Sequence, residues 1–413
     1  MRALLAGKGG RPHGARHGGG RLPRRRWPLG LVLGLLAAIA LVALVGLPDP
    51  DARARDGRFG VLPATVTVDP GLVVARVPPS FLGLSTEYWT VPVWERDASL
   101  LERVLALVHA SGDGPLVLRI GGDSADHSFW EPVARDLPDW AFALTPAWLA
   151  QVHALVAQTG LRLILDLNLV TADPALAAQW AAAADAGLPR GSILGLEVGN
   201  EPDIYTRAGW LAVLGGIAND ARVVLPEAIS IRRYVSDFAR YAAALRKAAP
   251  GVALMGPALA NPTRHVAWIR ALLRAPHPGL RVITAHRYPY SACAFRGTRA
   301  FPTVARVLSE AASTGLARGL RPDILIAHRA GLSFRLSELN SVTCGGKAGV
   351  SDSFATALWA PDALFELLRA GVDAVDVHVR AYTINAAFAL TPGGLIARPL
   401  LYGLIAFART LGP

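Results

Sequence analysis

Two glutamates, Glu201 and Glu338, each follow closely on a short apolar run of the chain. When two carboxyl groups lie side by side, the charge on one raises the pKa of the other, so one is protonated while its neighbour is ionised. At a separation of about 5–5.5 Å, the protonated group can release a leaving oxygen while the ionised group attacks an anomeric carbon. The pair therefore predicts retaining cleavage of a glycosidic bond, with Glu201 as general acid/base and Glu338 as nucleophile.

Three further polar residues lie at or near the ends of apolar runs. Arg119 could hold Glu338 in its ionised form, and Asn200 could donate a hydrogen bond to a sugar 2-hydroxyl. Asp123 either faces the same site or caps a turn. The sequence lacks the His and Asp spacing of a metal site and the Gly-x-x-x-x-Gly-Lys loop of phosphate binders. We therefore expect a site that works without a metal ion.

Eight apolar runs are predicted to be the strands that position these side chains. They are Phe81–Ser85, Leu116–Ile120, Leu161–Leu167, Ile193–Val198, Val252–Gly256, Val282–His286, Leu332–Ser337 and Ala374–Val379. Most are continuously apolar, which is typical of parallel strands covered on both faces. Helical patterns separate them, and this alternation predicts an α/β fold, a (β/α)8 or TIM barrel with its active site at the carboxyl ends of the strands. A doubly wound open sheet is the alternative, although no Gly-x-Gly-x-x-Gly turn follows the first run.

Local signals predict where some helices begin and end. Residues Ser99–Glu102 have the spacing of a capping box. Thr145-Pro146 fits an N-cap followed by the first helical residue, and Gly160 fits the end of that helix. Pro361 and Gly371 are expected to bracket a further helix. An apolar stripe predicts another helix at Tyr234, Phe238, Tyr241 and Leu245.

Five motifs in order along the chain carry a family resemblance. They are Phe81–Tyr88, Leu118–Ser124, Gly195–Pro202 with its Asn-Glu-Pro, His286–Pro289, and Ser337–Gly346 followed by Gly349–Ala355 and Leu358-Trp359. From about residue 64 onward the chain resembles glycoside hydrolase family 79, the heparanase and β-glucuronidase family. The resemblance implies an exo- or endo-acting β-glucuronidase that takes a carbohydrate substrate and uses no metal and no organic cofactor.

The resemblance also implies roles for single residues. Glu201 matches the acid/base of the family and Glu338 its nucleophile. Glu87 matches a carboxylate that binds hydroxyls of the sugar in subsite −1. Tyr288 matches an aromatic residue beside the nucleophile and the uronate.

This chain departs from the family pattern at the carboxyl end of the chain. Family members usually continue into a C-terminal β-sandwich, whereas this sequence ends just after the helix-like stretch 399–410. The segment 64–76 resembles strand material that would join such a sandwich. Two alternatives therefore stay open: a related retaining barrel that cleaves a neutral xyloside, arabinofuranoside or glucoside, and a non-catalytic, surface-tethered carbohydrate-binding barrel.

The two cysteines fall in neighbouring loops of the expected barrel. Cys293 follows the sixth strand and Cys344 the seventh. In an exported protein such a pair forms a disulfide, which would tie together two loops at the mouth of the site. Two unrelated buried thiols are the alternative.

The amino-terminal region predicts a membrane anchor. Eight of the eleven net positive charges lie in residues 1–26, so the basic excess is a tail and no nucleic-acid partner is expected. The run Leu29–Leu47 is apolar and uncharged, close to the ~20 residues that span a bilayer. Positive charge before it keeps the tail in the cytoplasm.

We accordingly expect four segments: a basic cytoplasmic tail at 1–27, a transmembrane signal anchor at 28–47, a linker at 48–61, and the catalytic barrel at 62–413. This order places the barrel outside the cytoplasm on a single-pass anchor in the cell membrane. The alternatives are a long cleavable signal followed by secretion, with Ala52–Ala54 as a poor cleavage site, or a twin-arginine signal at Arg24–Arg26.

Overall fold

The computed structural model describes residues 65–69, 71–109, 114–133, 137, 141–205 and 228–411. The chain divides between residues 70 and 71 into two units, and the fold below is that of the second. The predicted tail, anchor and linker lie outside the described residues. Within the described ranges, no helix has the length and apolar character needed to cross a bilayer.

Eight parallel strands close into a barrel. They are β1 (Leu82–Glu87), β2 (Val117–Gly121), β3 (Arg162–Leu167), β4 (Ile193–Val198), β5 (Ala253–Leu259), β6 (Leu280–Arg287), β7 (Ser333–Leu339) and β8 (Ala374–His378). Each strand pairs with its neighbours in the chain, and β8 closes the ring against β1. All eight predicted runs are confirmed as strands, and the open sheet is excluded. Every residue of β1 and β2 is buried, as expected for strands covered on both faces.

Within the residues that the structure describes, one longer helix follows each strand and packs around the barrel. These helices are α1 (Ala98–Val108), α2 (Pro146–Thr159), α3 (Pro174–Gly187), α4 (Ile231–Ala248), α5 (Pro262–Arg274), α6 (Thr314–Arg329), α7 (Ala355–Ala370) and α8 (Pro399–Thr410). In the described part of the chain, three pairs of short strands lie outside the barrel: Ser128–Trp130 with Phe142–Leu144, Tyr290–Ser291 with Val342–Thr343, and Phe388–Thr391 with Gly394–Ala397.

Several predicted helix signals are confirmed. The Thr145 side chain accepts a hydrogen bond from the backbone N–H of Trp148 at the start of α2, and Gly160 ends this helix with a left-handed φ of 69°. Gly371 ends α7 in the same way, with a φ of 94°. The predicted stripe of α4 faces the core, since Tyr234, Phe238, Tyr241 and Leu245 are all buried.

Two predicted helix starts are wrong. Helix α1 begins at Ala98, because the Asp97 carboxylate accepts from the N–H of Leu100 and so takes the cap position assigned to Ser99. Pro361 lies inside α7, which begins at Ala355. Burial of Trp359 and its neighbours against the barrel outweighs the one backbone hydrogen bond that the proline lacks. In the segment resembling strand material, residues 65–69 and 71–76 form neither helix nor strand.

Candidate active site

A pocket opens at the carboxyl ends of the barrel strands, where a TIM barrel carries its chemistry. Its walls are formed by Glu87, Asp123, Asn200, Glu201, Tyr288, Glu338, Thr343, Cys344, Gly345, His378, Arg380, Thr383 and Asn385. Six of the seven residues predicted for catalysis or substrate binding are in this wall. The seventh, Arg119, lies buried beneath it and bonds to Glu338.

Glu201 and Glu338 approach each other across the pocket. An oxygen of one carboxyl lies within 4.8 Å of an oxygen of the other, which is close to the spacing of retaining glycosidases. Glu338 lies in β7, whereas Glu201 follows β4 in a left-handed conformation with a φ of 51°. The Glu201 N–H donates to the carbonyl of Ala258, near the end of β5, at 3.0 Å. A non-glycine residue held in this conformation is typical of a functional position.

The surroundings of Glu201 favour its protonated form. Burial raises the pKa of this carboxyl to about 7, although the hydrogen bond and charge of His286 act in the opposite direction. The two groups are joined by a contact of 2.9 Å between His286 Nδ1 and Glu201 Oε1. The negative charge of nearby Glu338 raises the pKa further. Glu201 can therefore hold a proton near neutral pH and give it to a leaving group.

The surroundings of Glu338 favour its ionised form. Burial alone would raise its pKa, but His378, His286 and Arg119, with a hydrogen bond from Tyr288, lower it well below the usual range. Burial lowers the pKa of His378 itself, whereas the charge of Glu338 and the hydrogen bond to Glu201 outweigh burial and raise the pKa of His286. Arg119 carries its charge at every pH of interest. Arg119 Nη1 and the Tyr288 hydroxyl donate to the two oxygens of Glu338, each at 2.8 Å.

These opposite pKa shifts divide the pair into an acid and a nucleophile. The acid group, Glu201, and the ionised group, Glu338, are the residues to which the sequence assigned these roles. Two carboxyl groups with separated pKa values are the arrangement that acid/base and nucleophilic catalysis require at one pH.

Arg119 is the centre of a buried ion cluster below the pocket. Its guanidinium donates to Glu197 at 2.5 Å, to Asp166 at 2.8 Å and to Glu338 at 2.8 Å, and it also contacts the amide oxygen of Asn200 at 3.1 Å. The side chains of Arg119, Asp166 and Glu197 are fully buried. Arg119 can therefore position and ionise the nucleophile from beneath, without lining the pocket.

A second set of polar side chains lies on the side of the pocket next to β1, β2 and β8. Glu87 Oε2 accepts from the N–H of Ser124 at 2.8 Å. Its other oxygen is buried without a hydrogen-bond partner among the described residues, 3.6 Å from Arg380 Nη1 and 3.8 Å from His378 Nε2. Burial raises the pKa of Glu87 to about 7. Asp123 contacts Arg380 Nη1 at 3.2 Å. Glu87 thus lines the pocket and keeps one buried oxygen whose hydrogen-bonding capacity is unused among the described residues.

Gly122 makes room for Glu87. A Cβ at this position would lie 2.8 Å from Glu87 Oε1, and the φ of Gly122 is 71°. A larger residue would both strain the backbone and push the carboxylate aside.

Sequence reasoning missed several contributors. His286 was noted only as part of a motif, although it contacts Glu201 and lies 3.7 Å from Glu338. His378 is not among the predicted site residues, yet its Nδ1 contacts the Tyr288 hydroxyl at 2.8 Å. Arg380 was not considered, and no motif marks it. Strand-end position was the available signal for both histidines.

Glu201, His286 and Glu338 could also hold a metal ion, since each offers one ligand atom and these atoms lie within 4.8 Å of one another. A mixed set of one imidazole and two carboxylates suits zinc and similar ions. The same atoms already form the His286–Glu201 contact, so a metal ion would compete with the proton that Glu201 holds.

The predicted disulfide is confirmed. Cys293 and Cys344 are bonded, and the bridge joins the loops that follow β6 and β7. The short parallel strands Tyr290–Ser291 and Val342–Thr343 pair beside it. Because Cys344 lines the pocket, the bridge fixes part of its wall.

Comparison with known proteins supports the fold. No family model and no curated protein matches this sequence. A 4-O-α-L-rhamnosyl-β-D-glucuronidase from Fusarium oxysporum 12S superposes with a TM-score of 0.62 at 15% identity, over 81% of this chain and 70% of its own. The family 51 α-L-arabinofuranosidase AbfB from Bifidobacterium longum gives 0.55 at 15% identity, over 82% and 74%. A GH39 enzyme from Xanthomonas axonopodis pv. citri gives 0.50 at 16% identity, over 80% and 67%. The chain thus has the barrel fold found in several glycoside hydrolases.

Proposed function

We propose that this chain is a retaining β-glycoside hydrolase in which Glu201 is the general acid/base and Glu338 the nucleophile. One observation carries the proposal: two carboxyl groups within 4.8 Å of each other at the mouth of a TIM barrel, one with a raised and one with a lowered pKa. This is the arrangement that double displacement at an anomeric carbon needs. The similar barrels of known glycosidases support the same reading.

The first step forms a glycosyl-enzyme ester. An oxygen of ionised Glu338 attacks the anomeric carbon while the bond from that carbon to the leaving oxygen breaks. The leaving oxygen takes the proton of Glu201, so a neutral alcohol departs. Glu201 is then a carboxylate beside the new ester, and His286 remains hydrogen-bonded to it.

The second step hydrolyses the ester. Glu201 takes a proton from a water molecule, whose oxygen attacks the anomeric carbon from the side that the leaving group vacated. The ester bond breaks, Glu338 regains its negative charge, and Glu201 is protonated again. Two inversions at one carbon leave the product with the configuration of the substrate.

For the glycone we propose a β-glucuronide. Two observations support it: the five motifs that resemble family 79, and the likeness to a barrel described as a rhamnosyl-glucuronidase.

A neutral glycone is the second candidate, and the charges of the pocket favour it. Arg380 already faces two carboxylates, Glu87 and Asp123, so a carboxylate on the sugar would gain little from this cation. The similarity to a family 51 α-L-arabinofuranosidase supports the same candidate.

A panel of p-nitrophenyl glycosides separates the candidates. The full chain is assayed on the β-D-glucuronide, β-D-xyloside, β-D-glucoside and α-L-arabinofuranoside beside Glu338→Ala. We expect turnover of the glucuronide, its loss in the variant, and rejection of sugars that leave buried polar groups unpaired. Turnover of a neutral glycoside alone would select the second candidate. Binding without turnover by the folded protein would support a non-catalytic, carbohydrate-binding barrel.

We further propose that the barrel works outside the cytoplasm on the anchor at 28–47. The disulfide supports export, because such bonds persist in oxidising compartments. Digestion of intact cells with an external protease tests the placement: the barrel should be accessible, and full protection would contradict it.

A further inference from the structure

Arg380 forms a wall of the pocket on the side away from the acid. It follows β8 directly in the chain, and its guanidinium lies over the ring of Trp89 at 5.5 Å from the ring centre. Its Nη1 contacts Asp123 at 3.2 Å and lies 3.6 Å from Glu87. Only 16% of the side chain is exposed. Two carboxylates and one aromatic ring therefore hold the Arg380 guanidinium in place, so that it forms a fixed part of the pocket wall.

The loop that carries Arg380 is itself anchored to the barrel. The Thr86 hydroxyl donates to the carbonyl of Val379 at 2.8 Å, just before Arg380. Asn340, the residue after β7, donates to the carbonyls of His378 and Asn385 at 3.0 and 2.9 Å, so both ends of the loop are bonded to the end of the strand that carries the nucleophile. Moving Arg380 aside would break several buried contacts.

The side of the pocket on which Arg380 lies determines which part of a bound substrate it faces. Glu201 follows β4, and the leaving group must lie on its side because Glu201 protonates the leaving oxygen. Glu87 is the last residue of β1, and Arg380 and Asp123 follow β8 and β2; these three neighbouring strands lie on the side of the ring away from β4. A glycone whose anomeric carbon lies at Glu338 therefore extends toward Arg380.

Arg380 lines the same pocket as Glu338, Glu87 and Asp123. Because Glu87, Asp123 and Trp89 hold the Arg380 guanidinium in place, a second sugar attached beyond the first would have to displace this side chain.

We propose that Arg380 is a specificity-determining residue that closes the glycone end of the pocket, so that only the terminal sugar of a non-reducing end is cleaved. This inference rests on the proposed function of the same site. It makes the chain an exo-acting glycosidase.

The test compares two chromogenic probes with the full chain. One is p-nitrophenyl β-D-glucuronide, and the other carries a second β-glucuronosyl residue at O4 of the first. An exo enzyme must remove the outer sugar first, so nitrophenol from the second probe should appear only after a lag. In Arg380→Ala the lag should disappear, intact disaccharide should be released, and turnover of the second probe relative to the first should rise at least tenfold.

Two further variants keep the result interpretable. Arg369→Ala removes an exposed arginine that pairs with Glu366 on α7, and it should leave the lag unchanged. Arg380→Lys keeps the charge near Glu87 and Asp123 but loses the forked guanidinium, so a shortened lag is expected even if Arg380→Ala fails to fold.

Three outcomes would overturn the inference. If the parent protein releases intact disaccharide without a lag, the proposal that the glycone end of the pocket is closed is refuted, while the assignment as a glycosidase still holds. An unchanged lag in Arg380→Lys and in folded Arg380→Ala would refute the role of this residue. Absence of nitrophenol from both probes would contradict the proposed β-glucuronide glycone on which the inference rests.

Discussion

Replacing Glu201 by glutamine should stabilise the protein at alkaline pH. Burial raises the pKa of Glu201 from its usual 4.5 to about 7. This increase corresponds to about 3 kcal/mol of preference for the protonated form, at 1.36 kcal/mol for each pKa unit. Above pH 7 the folded parent must carry a buried carboxylate, whereas Glu201→Gln is neutral at every pH and still offers an oxygen to His286.

The sign of the effect follows from proton linkage. Because the folded pKa of Glu201 is above the unfolded one, its favourable contribution is fully present below pH 4.5 and is lost as the pH rises through 7. Glu201→Gln should therefore match the parent below pH 4.5, gain stability between pH 4.5 and 7, and stay about 3 kcal/mol more stable above that. The same variant should lose most turnover because it has no proton to give.

Urea unfolding of the parent and Glu201→Gln at several pH values from 4 to 8.5 measures this difference. Glu131→Gln is the matched control: Glu131 is an exposed glutamate outside the pocket, and its replacement should leave the stability difference independent of pH. A Glu201→Gln variant that is less stable than the parent at pH 8.5 would refute the reasoning that burial keeps this carboxyl protonated.

Three other perturbations have defined outcomes. Arg119→Met should lower the free energy of unfolding by about 3–5 kcal/mol, because it leaves buried carboxylates unpaired. It should also move the acid limb of the kcat/KM–pH profile to higher pH, because it raises the pKa of Glu338; an unshifted limb would contradict that role. Cys293→Ser/Cys344→Ser should raise KM more than it lowers kcat and cost up to about 4 kcal/mol of stability for a separation of 51 residues, measured by urea unfolding. Treatment with EDTA should leave turnover unchanged, since the proposed proton transfers use side chains alone; loss of activity restored by added Zn²⁺ would instead favour a metal site.

The order of elements could be predicted from the sequence because each strand is a short, nearly continuous apolar run between helical patterns. Parallel strands bring their carboxyl ends to one edge, so Glu201 and Glu338 could be placed together without knowledge of tertiary contacts. The disulfide followed from the same rule, since Cys293 and Cys344 lie in loops after neighbouring strands.

The features of the site that could not be predicted from the sequence depend on contacts between residues far apart in the chain. Arg119 meets Glu197 and Asp166 only because three strands approach inside the barrel, and no local pattern encodes their shared ion cluster. Arg380 reaches Asp123 across 257 positions of sequence. The wrong start of α1 has a local cause: Asp97 competes with Ser99 for the same cap, and the carboxylate one residue before Ala98 takes it.

The stereochemistry of the first-formed sugar tests the central claim most directly. Proton NMR can follow the anomeric signals during hydrolysis of p-nitrophenyl β-D-glucuronide by the full chain, before the product mutarotates. With the Glu201 and Glu338 carboxyl oxygens within 4.8 Å of each other, we predict that the β-anomer appears first. Initial formation of the α-anomer would contradict the assignment of Glu338 as a nucleophile, because it would require a water molecule between the two carboxyl groups.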